Sequence, residues 1–292
     1  MTDYENAIEI NGLTKQYDGF KLDNVSFSVP KGSIMGFIGQ NGAGKTTTIK
    51  AVLNIISKDS GNIKIFGMDN IENELEIKEN IAVVFDELPI HDNLNIKNIN
   101  IIMRDIFGLW DEKVFYNYIE RFGLPVKKKI GQFSKGMKMK LQIAIALSHN
   151  AKLLVMDEAT TGLDPVVRNE ILDIFLEYLQ DENNSILMSS HITSDLEKIA
   201  DSVTFIDKGK ILLTGYKDDI LESHGIIKCT KEDYSHIERS DFISARINDF
   251  GVSVMVDDVE TIQKKYSGLI IEKADLEEIM LYYVNRAKGE WT

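Results

Sequence analysis

The chain opens with two segments in which apolar and polar residues alternate, Ala7–Leu13 and Leu22–Val29. In the second, Val25, Phe27 and Val29 are interleaved with Asn24, Ser26 and Ser28, the period-two pattern of a half-buried strand. Short strand-like runs follow at Ile34–Ile38, Ile63–Phe66, Ile81–Phe85, Lys152–Met156 and Ser185–Ser189. Between residues 91 and 150 the apolar spacing lengthens to about 3.6, as in Ile99–Met103 and Val114–Phe122, which predicts helices. Pro165–Leu179 predicts an amphipathic helix with Val167, Ile171, Ile174, Phe175 and Tyr178 on one face. Val203–Ile206 and Ile211–Thr214 flank a turn, a hairpin signal. Strands alternating with helices imply a largely parallel sheet covered on both faces. The tail predicts strands at Ser253–Val256 and Leu269–Ile271 and a closing helix at Leu276–Arg286. We place a boundary near Ser223–Gly225, dividing the chain into 1–224 and a small α+β unit over 225–292.

Residues 39–46 read Gly-Gln-Asn-Gly-Ala-Gly-Lys-Thr, a phosphate-binding loop with the spacing G-x-x-x-x-G-K-[ST]. It follows the Ile34–Ile38 strand and leads into a helix start at Thr47, the required context. Gly39 and Gly44 let the backbone turn tightly, so that N–H groups along Asn41, Gly42, Ala43, Gly44 and Thr47 can face a phosphate. Lys45 would reach the β- and γ-phosphates, and the Thr46 hydroxyl would ligate Mg²⁺. Lys152–Glu158 complements this loop: four apolar residues deliver Asp157 to the Mg²⁺ shell, and Glu158 is placed to orient or deprotonate water. Three weaker features join them. Ser134 is a good N-cap for a helix running to Leu147. Gly162-Leu163-Asp164-Pro165 opens the next helix, with Pro165 suited to its first turn. His191 lies just past the Ser185–Ser189 strand, within reach of a γ-phosphate. Each alone reads as ordinary structure.

Composition narrows the setting. With 292 residues and 43% hydrophobic content, the chain is long enough for a large globular core. Its formal net charge of −13 argues against nucleic-acid backbone binding, and the one basic run, Lys127–Lys129, reads as a solvated turn. No apolar run approaches the roughly 18–20 residues that span a bilayer. With no signal-peptide pattern, we expect a cytoplasmic protein, peripheral on the inner face of the cell membrane through a partner. The single Cys229 excludes an internal disulfide framework and a Cys-rich metal site.

Taken in order, the P-loop, the Ser-x-Gly helix, the Asp-Glu pair, the Gly-Leu-Asp turn and the His resemble the ATP-binding subunits of ABC transporters over roughly residues 7–222. The resemblance implies an α/β P-loop NTPase of the ABC ATPase fold, with an antiparallel β subdomain, a helical subdomain at about 87–150 and the C-terminal α+β extension. It implies ATP and Mg²⁺ as cofactors and ATP hydrolysis coupled to transport. Tyr17 matches the aromatic that stacks on adenine. Phe133-Ser134-Lys135-Gly136-Met137 matches the signature motif. Members dimerise head to tail, so Ser134 and Gly136 would contact the γ-phosphate held by the partner's P-loop. Asp164 would lie at the seam, and His191 would hold the γ-phosphate and the attacking water. Two departures stand out. Lys135 adds a positive charge within the signature, near the partner's ATP. Asp86 replaces the usual glutamine and is expected at the Mg²⁺ site, reaching it through water. Within the family the chain is most similar to Gram-positive peptide and antibiotic exporter ATPases of the phenol-soluble-modulin exporter type. The implied partners are a membrane permease, touched by the region near 87–130, and a second ATPase that is identical or related. A non-transport ABC ATPase or a regulatory nucleotide-binding module is the alternative.

Overall fold

A computed structural model describes residues 4–288. Strands β1 (Asn6–Tyr17) and β2 (Phe20–Pro30) pair antiparallel, and β4 (Ser60–Ile65) and β5 (Met68–Asp69) extend them into a four-stranded sheet, β2-β1-β4-β5. The central sheet has six strands in the order β10-β9-β3-β8-β7-β6. Within it β3 (Ile34–Ile38), β6 (Ile81–Phe85), β7 (Leu153–Asp157), β8 (Ser185–Ser190) and β9 (Ser202–Asp207) run parallel. β10 (Lys210–Tyr216) closes one edge as a hairpin with β9. Lys208 and Gly209 both take positive φ there, as a two-residue hairpin turn requires.

Two apolar layers hold the central sheet. Ile8, Ile10, Leu13, Val25 and Phe27 of the antiparallel sheet face Phe37, Val155 and Leu187, and Phe27 stacks on Phe37 at 4.9 Å. On the opposite face, Ile38, Met156 and Met188 pack beneath helices α5 (Lys135–Ala146), α6 (Pro165–Tyr178) and α7 (Thr193–Ile199), through Leu141, Ile171, Phe175 and Leu196. Each such side chain stabilises the fold by about 1.5–3 kcal/mol through burial alone. Helices α1 (Lys45–Val52), α2 (Glu74–Glu79), α3 (Ile96–Ile106) and α4 (Glu112–Arg121) complete this part, and α3 and α4 make the expected helical region with α5. α8 (Lys217–Ser223) leads out of β10.

Beyond it lies an antiparallel sheet ordered β12-β13-β11-β14, built from β11 (Gly225–Cys229), β12 (Ser244–Asn248), β13 (Gly251–Val256) and β14 (Ile271–Lys273). Short helices α9 (Lys231–Tyr234) and α10 (Val259–Lys265) connect these strands. The predicted strand at Leu269–Ile271 is two residues early, because Leu269 closes a turn on Tyr266 O after α10. β11 and β12 escaped the pattern. In β11, Ile226 and Ile227 face different apolar clusters, so no alternation marks it. The final helix α11 (Leu276–Lys288) returns to the first part: Leu276 and Ile279 are fully buried with Leu196, and Leu276 N donates to Glu197 Oε1 at 2.7 Å.

Candidate nucleotide site

The site grows from three neighbouring strands. In the order β3-β8-β7 their parallel register sets Ile38 beside Ser190 and Asp157 beside Ser189, so the loops leaving their C-terminal ends share one rim. The P-loop leaves β3, Glu158 follows β7, and His191 follows β8.

The glycine requirement of the loop comes from behind it. A Cβ on Gly39 would sit 2.5 Å from Ile206 O, and one on Gly44, at φ +118, would sit 2.7 Å from Leu22 Cδ2. The loop is thus pressed against β9 and β2 and its other side is left open. That side borders a cavity of about 340 Å³, lined by Phe20, Asn41, Gly42, Thr46, Thr47 and Glu158 among others. Lys45 is buried, and its Nζ donates to Gly39 O at 2.6 Å and Gln40 O at 3.3 Å.

Asp157 ends β7 and accepts from Ser189 Oγ at 2.7 Å. Glu158 takes a left-handed φ of 57°, strained for a side-chain-bearing residue, and its N–H donates to Ser189 Oγ at 3.2 Å. Its carboxylate has three partners. Lys45 Nζ forms an ion pair with Oε1 at 2.9 Å, and Thr161 Oγ1 donates to Oε2 at 2.7 Å. His191 Nδ1 is 2.6 Å from Oε2. Burial pushes the Glu158 carboxyl up, but contact with Lys45, the Thr161 hydroxyl, the Lys45 charge and His191 together hold it below the usual range. A buried cation, an open cradle of amides, the Thr46 hydroxyl and two acids suit a nucleotide triphosphate with a divalent cation.

The remaining expected residues fall elsewhere. Tyr17 is 41% exposed at the end of β1, with Lys15 Nζ 5.6 Å from its ring centre. Phe20, across the turn, is the aromatic bordering the cavity. Ser134 is exposed and caps α5, accepting from Met137 N at 3.3 Å. Asp164 is exposed and caps α6, accepting from Val166 N and Val167 N at 3.1 Å. Gly136 stands against Val167, which sets the starts of α5 and α6 side by side. Ser134, Gly136 and Asp164 line no part of the P-loop cavity. Asp86 has a partner the sequence did not indicate: it accepts from Lys135 Nζ at 2.6 Å. Sequence reasoning also missed Thr161, Ser189 and Phe20. Thr161 sits three residues after Glu158, and a hydroxyl at that spacing can fold back on it.

Comparisons with known proteins identify the family. The ABC transporter family model matches residues 22–161. The bacitracin transport ATP-binding protein BcrA of Bacillus licheniformis is 38% identical over 70% of this chain and 68% of its own length. The lantibiotic transport ATP-binding protein SrtF of Streptococcus pyogenes is 36% identical over 70% of this chain and 89% of its own. A solved structure of an ATP-binding subunit of an ABC transporter superposes with a TM-score of 0.67 at 26% identity, covering 74% of this chain and 92% of that one. Among the described residues no helix is long and apolar enough to cross a membrane. With P-loop, acidic pair and histidine meeting at one rim, the chain belongs to the ATP-binding subunits of ABC transporters.

Proposed function

We propose that this chain is the ATP-hydrolysing subunit of an ABC exporter, driving a peptide or drug-like substrate through a separate membrane permease. The observation that carries the reading is the meeting of Lys45, Thr161 and His191 on the Glu158 carboxylate beside the P-loop cavity. The bacitracin and lantibiotic relatives support the substrate class.

The phosphates of ATP lie on the loop amides, and Lys45 turns from Gly39 O and Glu158 to phosphate oxygens. Thr46 and Asp157 would hold Mg²⁺, which would neutralise charge on the phosphates. Glu158, kept in one orientation by Thr161 and His191, accepts the proton of the attacking water. Tyr17, exposed at the end of β1, would stack on adenine where the base extends beyond the cavity. Ser134 and Asp164 are exposed and, like Gly136, line no part of their own cavity, which favours a head-to-tail partner, identical or related, whose nucleotide they would face.

An apolar cleft of about 470 Å³, lined by Val52, Leu53, Ile55, Phe85, Ile106 and His149 among others, separates the helical region from the P-loop part. Ile55 and Ile106 remain 55% and 62% exposed at it. A short amphipathic helix of the permease on the cytoplasmic side suits this cleft, and would tie the chain to the inner face of the membrane.

The test is Mg-ATP hydrolysis and light scattering on wild type and Glu158→Gln, with permease co-purification. We expect Glu158→Gln to lose turnover and to dimerise on ATP, and Ile106→Asp to lose the permease while still binding ATP. Equal turnover in wild type and Glu158→Gln would remove the catalytic assignment. Full activity with no permease bound would favour a non-transport ATPase.

A further inference from the structure

Two of the departures from the family pattern, Asp86 and Lys135, are bonded to each other within one subunit. They do not meet alone. Three residues on one face of α5, at positions 135, 138 and 142, hold the segment that leaves β6. Gln142, 4% exposed, donates through Nε2 to Phe85 O at 3.0 Å and accepts from Phe85 N at 3.1 Å. β6 is the edge strand of the central sheet, so these two bonds replace the missing neighbour for Phe85. One turn nearer the helix start, Lys138 Nζ donates to Asp92 Oδ1 at 3.2 Å. Lys135, in the first turn, reaches Asp86. Its Nζ also lies where a Cβ on Gly162 would be 3.4 Å away, so it borders the loop between Glu158 and Asp164.

The anchor and the pair differ in kind. The Gln142 clamp is buried and uncharged and cannot open without stranding backbone groups. The Asp86 and Lys135 side chains are 47% and 45% exposed, so their pairing is weak and reversible. A cation in the first turn of a helix is also disfavoured by the helix dipole, and Asp86 offsets that. A phosphate brought to this helix end competes with Asp86 for the same ammonium.

We propose that Asp86 and Lys135 form a releasable restraint. It holds the start of α5 against the end of β6 in the single subunit and is given up when Lys135 turns to the nucleotide of a second subunit. Asp86 is on this account a positioning residue that acts through Lys135. The release half rests on the head-to-tail reading above.

The test uses the full chain. By hydrogen–deuterium exchange without nucleotide, Asp86→Asn and Lys135→Gln each raise exchange in both 86–92 and 134–140, and the swap Asp86→Lys with Lys135→Asp restores protection. A single substitution that loosens only its own segment overturns the restraint. ATP-driven dimerisation is then followed by light scattering in the Glu158→Gln background. Asp86→Asn lowers the ATP midpoint by up to about fivefold, the ceiling for an exposed pair. Lys135→Gln gives no such gain, since it loses the phosphate contact with the restraint. A raised midpoint in Asp86→Asn, with a shifted Mg²⁺ requirement, means that Asp86 serves the nucleotide directly and overturns the proposal. If the Glu158→Gln parent binds ATP but never dimerises, the sandwich reading and the release half fall together, and the exchange data still decide the restraint.

Discussion

Lys45 Nζ lies 2.9 Å from Glu158 Oε1, so the P-loop cation and the acid after β7 neutralise each other across the floor of the cavity. Lys45→Ala therefore acts on both. It removes the charge that would hold ATP, and it leaves the half-buried Glu158 carboxylate without its cation, raising its affinity for a proton. We expect ATP binding to weaken about 10- to 100-fold, the worth of one charge-assisted contact. Titration calorimetry on wild type and Lys45→Ala reads this directly; unchanged affinity would remove Lys45 from the nucleotide site.

Gly39→Ala tests the packing behind the loop. Its methyl would meet Ile206 O at 2.5 Å, and backbone atoms of β9 cannot yield cheaply. We expect about 1–3 kcal/mol of lost stability, as for other overpacked positions, with weaker nucleotide binding. Urea unfolding gives the first quantity. Gly42→Ala is the contrast: nothing lies within 4 Å of its added methyl, so only the strain of φ +81 applies.

Gln142→Leu should cost about 1–3 kcal/mol, because the N–H and C=O of Phe85 lose the Gln142 amide at the sheet edge. Hydrogen exchange at residues 84–86 should rise with it. Wild-type exchange in this variant would mean that another group or water already serves the edge.

Acid should weaken the fold through His149. Its ring is buried, stacks on Phe107 at 4.0 Å and has Nε2 3.2 Å from Ile81 O. Burial pushes the imidazole down from its ordinary value, against the opposite pull of the Ile81 and Ile145 carbonyls. The unfolded chain then takes up a proton more readily than the folded one. Stability from this group is full above the unfolded value of about 6.5 and is lost as pH falls from there through the lower folded value. His224, also lowered by burial, adds in the same direction. Urea midpoints at pH 7.5 and 5.5 should differ less in His149→Gln than in wild type. An identical difference would place the proton uptake elsewhere.

The sequence by itself determined the parts whose chemistry is local. Eight consecutive residues make the P-loop, and its strand and helix arise from their own hydrophobic spacing, so β3 and α1 were legible from the chain. The same holds for Asp157 and Glu158 at the end of a buried strand, and for Ser134 as a helix cap; that Asp164 caps α6 was seen only in the structure. Tertiary structure decided what those residues touch. Glu158 lies 113 positions after Lys45 and 33 before His191, and only the β3-β8-β7 order brings the three together. The need for glycine at 39 and 44 is set by β9 and β2, which no local pattern reports. Asp86 and Lys135 each read as an isolated departure, and their pairing exists only because α5 lies along the edge strand β6. Hydrophobic period and turn chemistry act over a few neighbours; strand order and helix docking join residues dozens of positions apart.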